Sequence, residues 1–268
     1  MYSMKTQRNK VQSTVITGAS SGIGEAVALA LAEQKGSLIL TARRVDRLKK
    51  VQQKCLKLGA KEVLVFGLDV QSKKQVVKLA AELRKKKVEI RNLINCAGLA
   101  KGVELFQNSN TQDWDEMLDT NVRGLLNVTR ELIPDIILNR GHIVNLGSVA
   151  GRLVYEGGAV YCATKFAVRA ISDALRFDLK GTGVRVSNIE PGMVETEFSK
   201  VRLGNQQKAD AVYFDMMPLS AKDIASTVLW CLSQPPHVNI SELVVYPTDQ
   251  ASVGHVVRGE KSVKNLFK

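Results

Sequence analysis

Tyr161 and Lys165 stand four residues apart in the stretch GGAVYCATKFAVRA, residues 157–170. On a helix both side chains leave the same face, roughly 5–6 Å apart at Cβ. An ammonium beside a phenol stabilises the phenolate. It draws the tyrosine down from its ordinary pKa of about 10 towards working pH. A tyrosine tuned in this way is a general acid or base. A lysine-rich chain also produces Tyr-x-x-x-Lys by chance, and such a tyrosine can simply pack. What flanks the pair therefore decides between the two.

The pair needs a frame, and the hydrophobic pattern supplies one. Residues 11–17, VQSTVIT, predict a short buried strand ended by Gly18. A helix over 23–34 and a strand over 37–41 follow. Val45, Leu48, Val51, Cys55 and Leu58 recur at helical spacing over 45–58. Residues 62–68 predict a third strand, 72–86 an amphipathic helix and 90–95 a fourth strand. Residues 111–139 read as one long helix or two abutting ones, capped by Ser109, Asn110 or Thr111 and interrupted near the end by Pro134. Residues 142–147 form a fifth strand. The Tyr161 helix covers 158–180 and stops at Gly181 or Gly183. A sixth strand over 184–189 ends at Pro191-Gly192, and 193–219 is irregular. A helix over 221–233, a stop at Pro235-Pro236 and a seventh strand over 242–246 close the pattern. The last dozen residues are polar and basic, which predicts a loose end. Alternating strands and helices predict an α/β fold, with a parallel sheet covered by helices on both faces. No linker or repeat divides it. The organisation expected is a basic arm (1–10), one domain (11–253) and a basic tail (254–268).

The first strand runs into Thr17-Gly18-Ala19-Ser20-Ser21-Gly22-Ile23-Gly24 and then directly into a helix. Glycines there let the backbone approach a pyrophosphate, which free amides at the helix start would meet. Gly18, Ser20, Ser21, Gly22 and Ile23 are the expected contacts, although a glycine-rich turn can also serve packing alone. About 20 residues on, dinucleotide folds that take NAD place an acid for the ribose 2′-hydroxyl. Here Arg43 and Arg44 occupy that point, and two guanidiniums suit a 2′-phosphate. That favours NADP, with Asp46 leaving NAD open and a solvated helix entry as the bland alternative. Asp69 and Val70 either contact the adenine or cap the helix that follows. Asn95, Ala97 and Gly98 end the fourth strand with small residues, which suits approach to a ribose.

Composition excludes several classes. The chain has 268 residues, 45% hydrophobic and 24% charged, as a single globular domain would. No apolar run approaches the roughly 18 residues of a membrane span. The start has no apolar segment of a secretory signal. Cys55, Cys96, Cys162 and Cys231 lack Cys-x-x-Cys spacing and predict reduced thiols in a cytoplasmic protein. Three scattered histidines predict no metal site. The net charge of +12 invites nucleic acid, but the lysines fall mainly on two expected surface helices and aromatics make up only 5%. Solvated helix faces explain the charge better.

Taken together, TGASSGIG at 17–24, NCAG at 95–98, Asn121, Ser148, Tyr161-x-x-x-Lys165 and Pro191-Gly192 with Thr196 resemble the short-chain dehydrogenase/reductase family. The resemblance covers about residues 11–200, in order. It implies a doubly wound Rossmann sheet of about seven strands. It implies a catalytic set of Asn121, Ser148, Tyr161 and Lys165. Cys96 departs from the family's usual second asparagine. NCAGLAKGVE, EMLDTNVRGL, NIEPGMVETEFSKVR and PPHVNISEL are similar to the branch of NADP-dependent 3-hydroxy acid dehydrogenases, including serine and L-allo-threonine dehydrogenases. The implied partners are NADP, a small hydroxy or oxo acid and further copies in a tetramer. No nucleic acid, membrane or metal is implied.

In the mechanism this resemblance implies, Ser148 and Tyr161 hold the substrate oxygen and Tyr161 moves the proton. Lys165 holds the nicotinamide ribose and lowers the Tyr161 pKa. Asn121, in a locally distorted helix, holds a water that links Lys165 to solvent. Pro191, Gly192, Val194 and Thr196 touch the nicotinamide end. A carboxylate substrate needs a cation. Arg202, in the segment over 193–219 that would act as a lid, ranks first, and Arg152 second. Carbonyl, 3-oxoacyl and polyol reductases of the family share the same motifs, and a non-catalytic NADP sensor shares the fold.

Overall fold

A computed structural model describes residues 12–265. The arm expected over 1–10, residue 11 of the first strand and residues 266–268 lie outside the described residues.

The first half of the chain alternates strand and helix. β1 (Gln12–Thr17), α1 (Gly22–Glu33), β2 (Ser37–Ala42), α2 (Val45–Lys57), β3 (Glu62–Gly67), α3 (Lys73–Lys85) and β4 (Glu89–Asn95) follow in turn. α4 (Thr111–Leu118) passes through a π-helical turn (Asp119–Gly124) into α5 (Leu125–Leu138), then β5 (His142–Leu146), α6 (Ala159–Asp178) and β6 (Arg185–Pro191). The segment expected to be irregular holds β7 (Val194–Glu195), α7 (Phe198–Leu203), α8 (Gln206–Val212) and β8 (Leu219–Ser220), with β7 and β8 paired. α9 (Ala221–Ser233), β9 (Glu242–Val245), β10 (Gln250–Ser252) and β11 (His255–Val256) complete the order.

One parallel sheet runs β3-β2-β1-β4-β5-β6-β9. Period-2 alternation sends neighbouring residues to opposite faces. Ile16, Leu38, Leu40 and Val144 pack with α1, α2 and α9. Val15, Ile39, Leu93 and Ile143 pack with α3 and α5. β2 is buried along its whole length, as expected of an inner parallel strand. The strand order reverses between β1 and β4, and crevices at the carboxyl ends of such strands hold ligands. Thr17 ties the two ends together there, its hydroxyl accepting from the amides of Cys96 and Ala97 at 3.1 Å each.

Three expectations are corrected. Pro134 does not interrupt α5, which continues to Leu138. The residue is exposed, so the carbonyl it leaves unpaired one turn earlier, on exposed Arg130, meets water. α6 stops at Asp178, before Gly181 and Gly183. The tail is not loose through residue 265. Buried Asp249 accepts from the Ser262 hydroxyl at 2.6 Å and the Val263 amide at 2.8 Å, so the tail folds back on the body. No described helix is long and apolar enough to cross a membrane. The lysines of α2 and α3 are exposed, as solvated faces require.

His142 on β5 is fully buried, with Nε2 2.8 Å from the Ser187 hydroxyl. Burial, aided by Arg185, pushes its pKa down to about 3. The unfolded chain takes up this proton near pH 6.5 (its ordinary value), and the folded chain does not. This contribution is therefore complete above that value and is lost as pH falls. Lowering pH from about 7 to about 5 costs about 2 kcal/mol through this group. Urea unfolding at the two pH values measures the loss, and His142→Asn removes this part of it.

Candidate active site

A cleft of about 880 Å³ opens at the carboxyl ends of β1 and β4. That size suits a cofactor with a small substrate. Gly18 and Gly22 take positive φ of 67° and 56°. A Cβ at Gly18 would lie 2.9 Å from the Ala97 amide nitrogen. Ser21 begins α1 without a side-chain cap, so the first amides of α1 are left for an anion. This cradle fits a dinucleotide pyrophosphate. Gly18, Ser20, Ser21, Gly22 and Ile23 all line the cleft.

Arg43 and Arg44 line the next part of the wall. Arg44 donates to the Ser21 hydroxyl at 2.6 Å and to the Ser20 hydroxyl at 3.2 Å. Arg43 turns towards Glu116, 3.8 Å away. Asp69 and Val70 line the cleft too. The Val70 carbonyl accepts from Asn127 of α5 at 3.3 Å, which fixes the loop. The cap of α3 is Ser72, so the helix-cap alternative for Asp69 does not hold. Ala97 and Gly98 line the cleft, but Asn95 does not. Its side chain is buried and donates to Thr129 and Asn145 at 3.1 and 2.9 Å. Asn95 braces β4 against α5 and β5, which corrects its expected place at the cofactor. Pro191, Gly192, Val194 and Thr196 line the far end.

Ser148, Tyr161 and Lys165 converge there. Tyr161 is 8% exposed and Lys165 is 7% exposed, both on the inner face of α6. Lys165 Nζ sits 5.9 Å from the centre of the Tyr161 ring and donates to the Leu146 carbonyl at 2.9 Å. The Ser148 hydroxyl accepts from the Ala150 amide at 3.1 Å, and Ser148 lies beside Tyr161 in the wall of the cleft. Tyr161 departs from expectation in its pKa. Burial pushes it above the ordinary tyrosine value, reinforced by Tyr155. The groups that counter burial are the Ser148 hydroxyl and the Arg202 guanidinium. Burial also draws Lys165 down to about 8, opposed by Cys96 and Glu190. Cys96, at the family's usual asparagine, lines the cleft, and burial pushes its thiol up to about 12.

Asn121 sits in the π turn, so the expected distortion is present. Its amide donates to the Leu99 carbonyl at 2.8 Å and the Thr164 hydroxyl at 3.1 Å, and its oxygen accepts from the Leu99 amide at 2.8 Å. Only one lone pair of that oxygen remains for the expected water. Gly98 keeps that space open, since a Cβ there would lie 3.3 Å from Asn121 Oδ1 and 3.8 Å from Lys165 Nζ.

The two arginines proposed for a substrate anion separate clearly. Arg152 does not line the cleft, because Glu190 and Glu242 at the ends of β6 and β9 hold its guanidinium. Arg202 of α7 reaches the Tyr161 ring, 5.6 Å from its centre. It donates to the Tyr155 hydroxyl at 2.9 Å and to the Gly102 carbonyl at 3.0 Å. Tyr155 lies outside the residues that the sequence singled out. The available signal was an aromatic residue two positions before the stretch 157–170 that carries Tyr161 and Lys165. Gln250, Val253 and Gly254, at and just before the start of the tail, were not expected at the site and also line the cleft. Nothing local in their sequence marks them.

A family model described as short chain dehydrogenase matches residues 12–207. The chain is 43% identical over 240 residues to sulfoacetaldehyde reductase 2 of Chromohalobacter salexigens, covering 88% of this chain and 94% of that one. It is 42% identical over 243 residues to the NADP-dependent 3-hydroxy acid dehydrogenase of Salmonella typhi, covering 90% and 96%. The closed form of serine dehydrogenase complexed with NADP+ superposes with a TM-score of 0.86 at 39% identity, covering 92% of this chain and 100% of that one. The sheet order and the glycine turn agree with these likenesses: this chain belongs to the short chain dehydrogenase family.

Proposed function

We propose that this chain is an NADP-dependent oxidoreductase acting on a small 3-hydroxy acid such as serine, L-allo-threonine or 3-hydroxyisobutyrate. The observation that carries the substrate class is Arg202, a guanidinium 5.6 Å from the Tyr161 ring and part of the cleft wall. A carboxylate pairs with that fork while the substrate hydroxyl meets Ser148 and Tyr161. The likeness to a sulfoacetaldehyde reductase favours a second reading, with a sulfonate in the same fork. Bound NADP supplies the hydride chemistry. Ser148 orients the substrate oxygen. Tyr161 takes the hydroxyl proton in oxidation and returns it in reduction. Lys165 holds the ribose hydroxyls, and Asn121 holds the water that joins Lys165 to solvent. Gly18 to Ile23 hold the pyrophosphate, Arg43 and Arg44 the 2′-phosphate, and Thr196 the nicotinamide end.

We also assign the chain to the cytoplasm, as a homotetramer. All four cysteines are free. Leu126 and Leu138 on α5 and Phe166 and Phe177 on α6 are exposed apolar side chains that suit association.

A substrate panel with NADP, followed by nicotinamide absorbance, tests the activity. It includes the three acids, sulfoacetaldehyde, neutral alcohols and 3-oxoacyl thioesters. Anionic substrates are expected to turn over faster than neutral ones of the same size. A preference for neutral alcohols or thioesters overturns the substrate class.

A further inference from the structure

Arg44 and Arg47 meet on one carboxylate. Arg47 Nη1 donates to both oxygens of Glu197 at 2.7 Å. Arg44 Nη1 donates to the same group at 3.1 Å. The other edge of Arg44 is fixed by Ser20 and Ser21 of the glycine turn. Two guanidiniums thus converge beside the glycine turn, where a 2′-phosphate is expected, and the chain's own carboxylate bridges them. Glu197 lines the cleft between Thr196 and α7, the helix that carries Arg202.

We propose that Glu197 is an internal counter-ion that holds the place of the cofactor's 2′-phosphate and yields it when NADP binds. This rests on the NADP assignment above. The Glu197 side chain is 45% exposed, and those of Arg44 and Arg47 are 42% and 41% exposed. Ion pairs so open to water are weak and exchange easily. A phosphate monoester carries more charge and three oxygens, and it engages both forks at once. It therefore displaces the carboxylate. Release of Glu197 frees the first residues of the lid, so the cofactor's 2′ end is coupled to the segment that presents Thr196 and Arg202. A cofactor without the phosphate leaves Glu197 tied to α2. Arg47 thereby becomes a third specificity-determining arginine beside Arg43 and Arg44.

The opposite arrangement has Glu197 remaining in place to orient both arginines for a phosphate on their far side. The two differ in sign, so binding decides. Titration calorimetry uses adenosine 2′,5′-bisphosphate, with AMP as the ligand lacking the 2′-phosphate. Glu197→Gln is expected to tighten the bisphosphate by about 3- to 10-fold and leave AMP unchanged. Arg47→Ala is expected to weaken the bisphosphate by about 10-fold and leave AMP unchanged. Both sites are open to water, so the variants keep the fold. Unchanged or weaker bisphosphate binding by Glu197→Gln overturns the proposal. Wild-type protein that binds the bisphosphate no more tightly than AMP overturns the NADP assignment and this proposal with it.

Discussion

Tyr161→Phe is expected to lower kcat by about 10²- to 10⁴-fold, the range that a positioned proton donor contributes. NADP affinity stays at the wild-type value, because the ring remains and only the hydroxyl is lost. Steady-state turnover alongside a fluorescence titration of NADP separates the two. A variant that keeps its turnover refutes the proton-transfer role. The wild-type pH profile carries a second readout. Burial holds the Tyr161 proton on more tightly than in water. Oxidation needs the phenolate, so its rate rises with pH, and reduction needs the phenol, so its rate falls. Lys165, drawn down to about 8, loses its charge across the same range. Loss of that ammonium weakens the hold proposed for Lys165 on the ribose hydroxyls, so the rise in oxidation flattens above that value.

Arg202→Ala is expected to cut kcat/KM for acid substrates by about 10²- to 10³-fold, mainly through KM. An unpaired substrate anion in a partly closed site costs about 2–4 kcal/mol. Neutral alcohols lose far less, and this split identifies anion binding rather than damage to the fold. Arg202 also lowers the Tyr161 pKa. Its loss therefore moves the oxidation profile to higher pH for every substrate. Equal losses on acids and neutral alcohols would mean that Arg202 serves only to place Tyr155 and α7. The lid in that case carries no substrate specificity.

The parts of the site that were legible in the sequence are local. The turn from Gly18 to Gly24 needs positive φ at fixed positions, and glycine marks them. Tyr161 and Lys165 share a face because helical periodicity puts them there. The strands of the sheet were legible because parallel strands buried on both faces read as apolar runs. Element ends were less so. A proline facing solvent passes through a helix, and α7 and α8 are too short to show a full apolar period.

The remaining features depend on residues distant in the chain, and no local pattern records such contacts. Arg152 and Arg202 are alike as sequence. Glu190 and Glu242 neutralise one of them, and α7 carries the other to Tyr161. Asn95 turns away because Thr129 and Asn145 are its neighbours across the sheet. The tail looked loose because its residues are polar, yet Asp249 gathers it by hydrogen bonds. The sequence by itself determined the frame, the glycine turn and the shared face of Tyr161 and Lys165, because each is encoded by periodicity or turn chemistry within a few residues, whereas Ser148 stood out only through the family resemblance. Only the tertiary structure decided which of the two cations lines the cleft, what raises the Tyr161 pKa and which carboxylate fills the arginine fork. Those outcomes follow from burial and from charges brought together across large sequence separations.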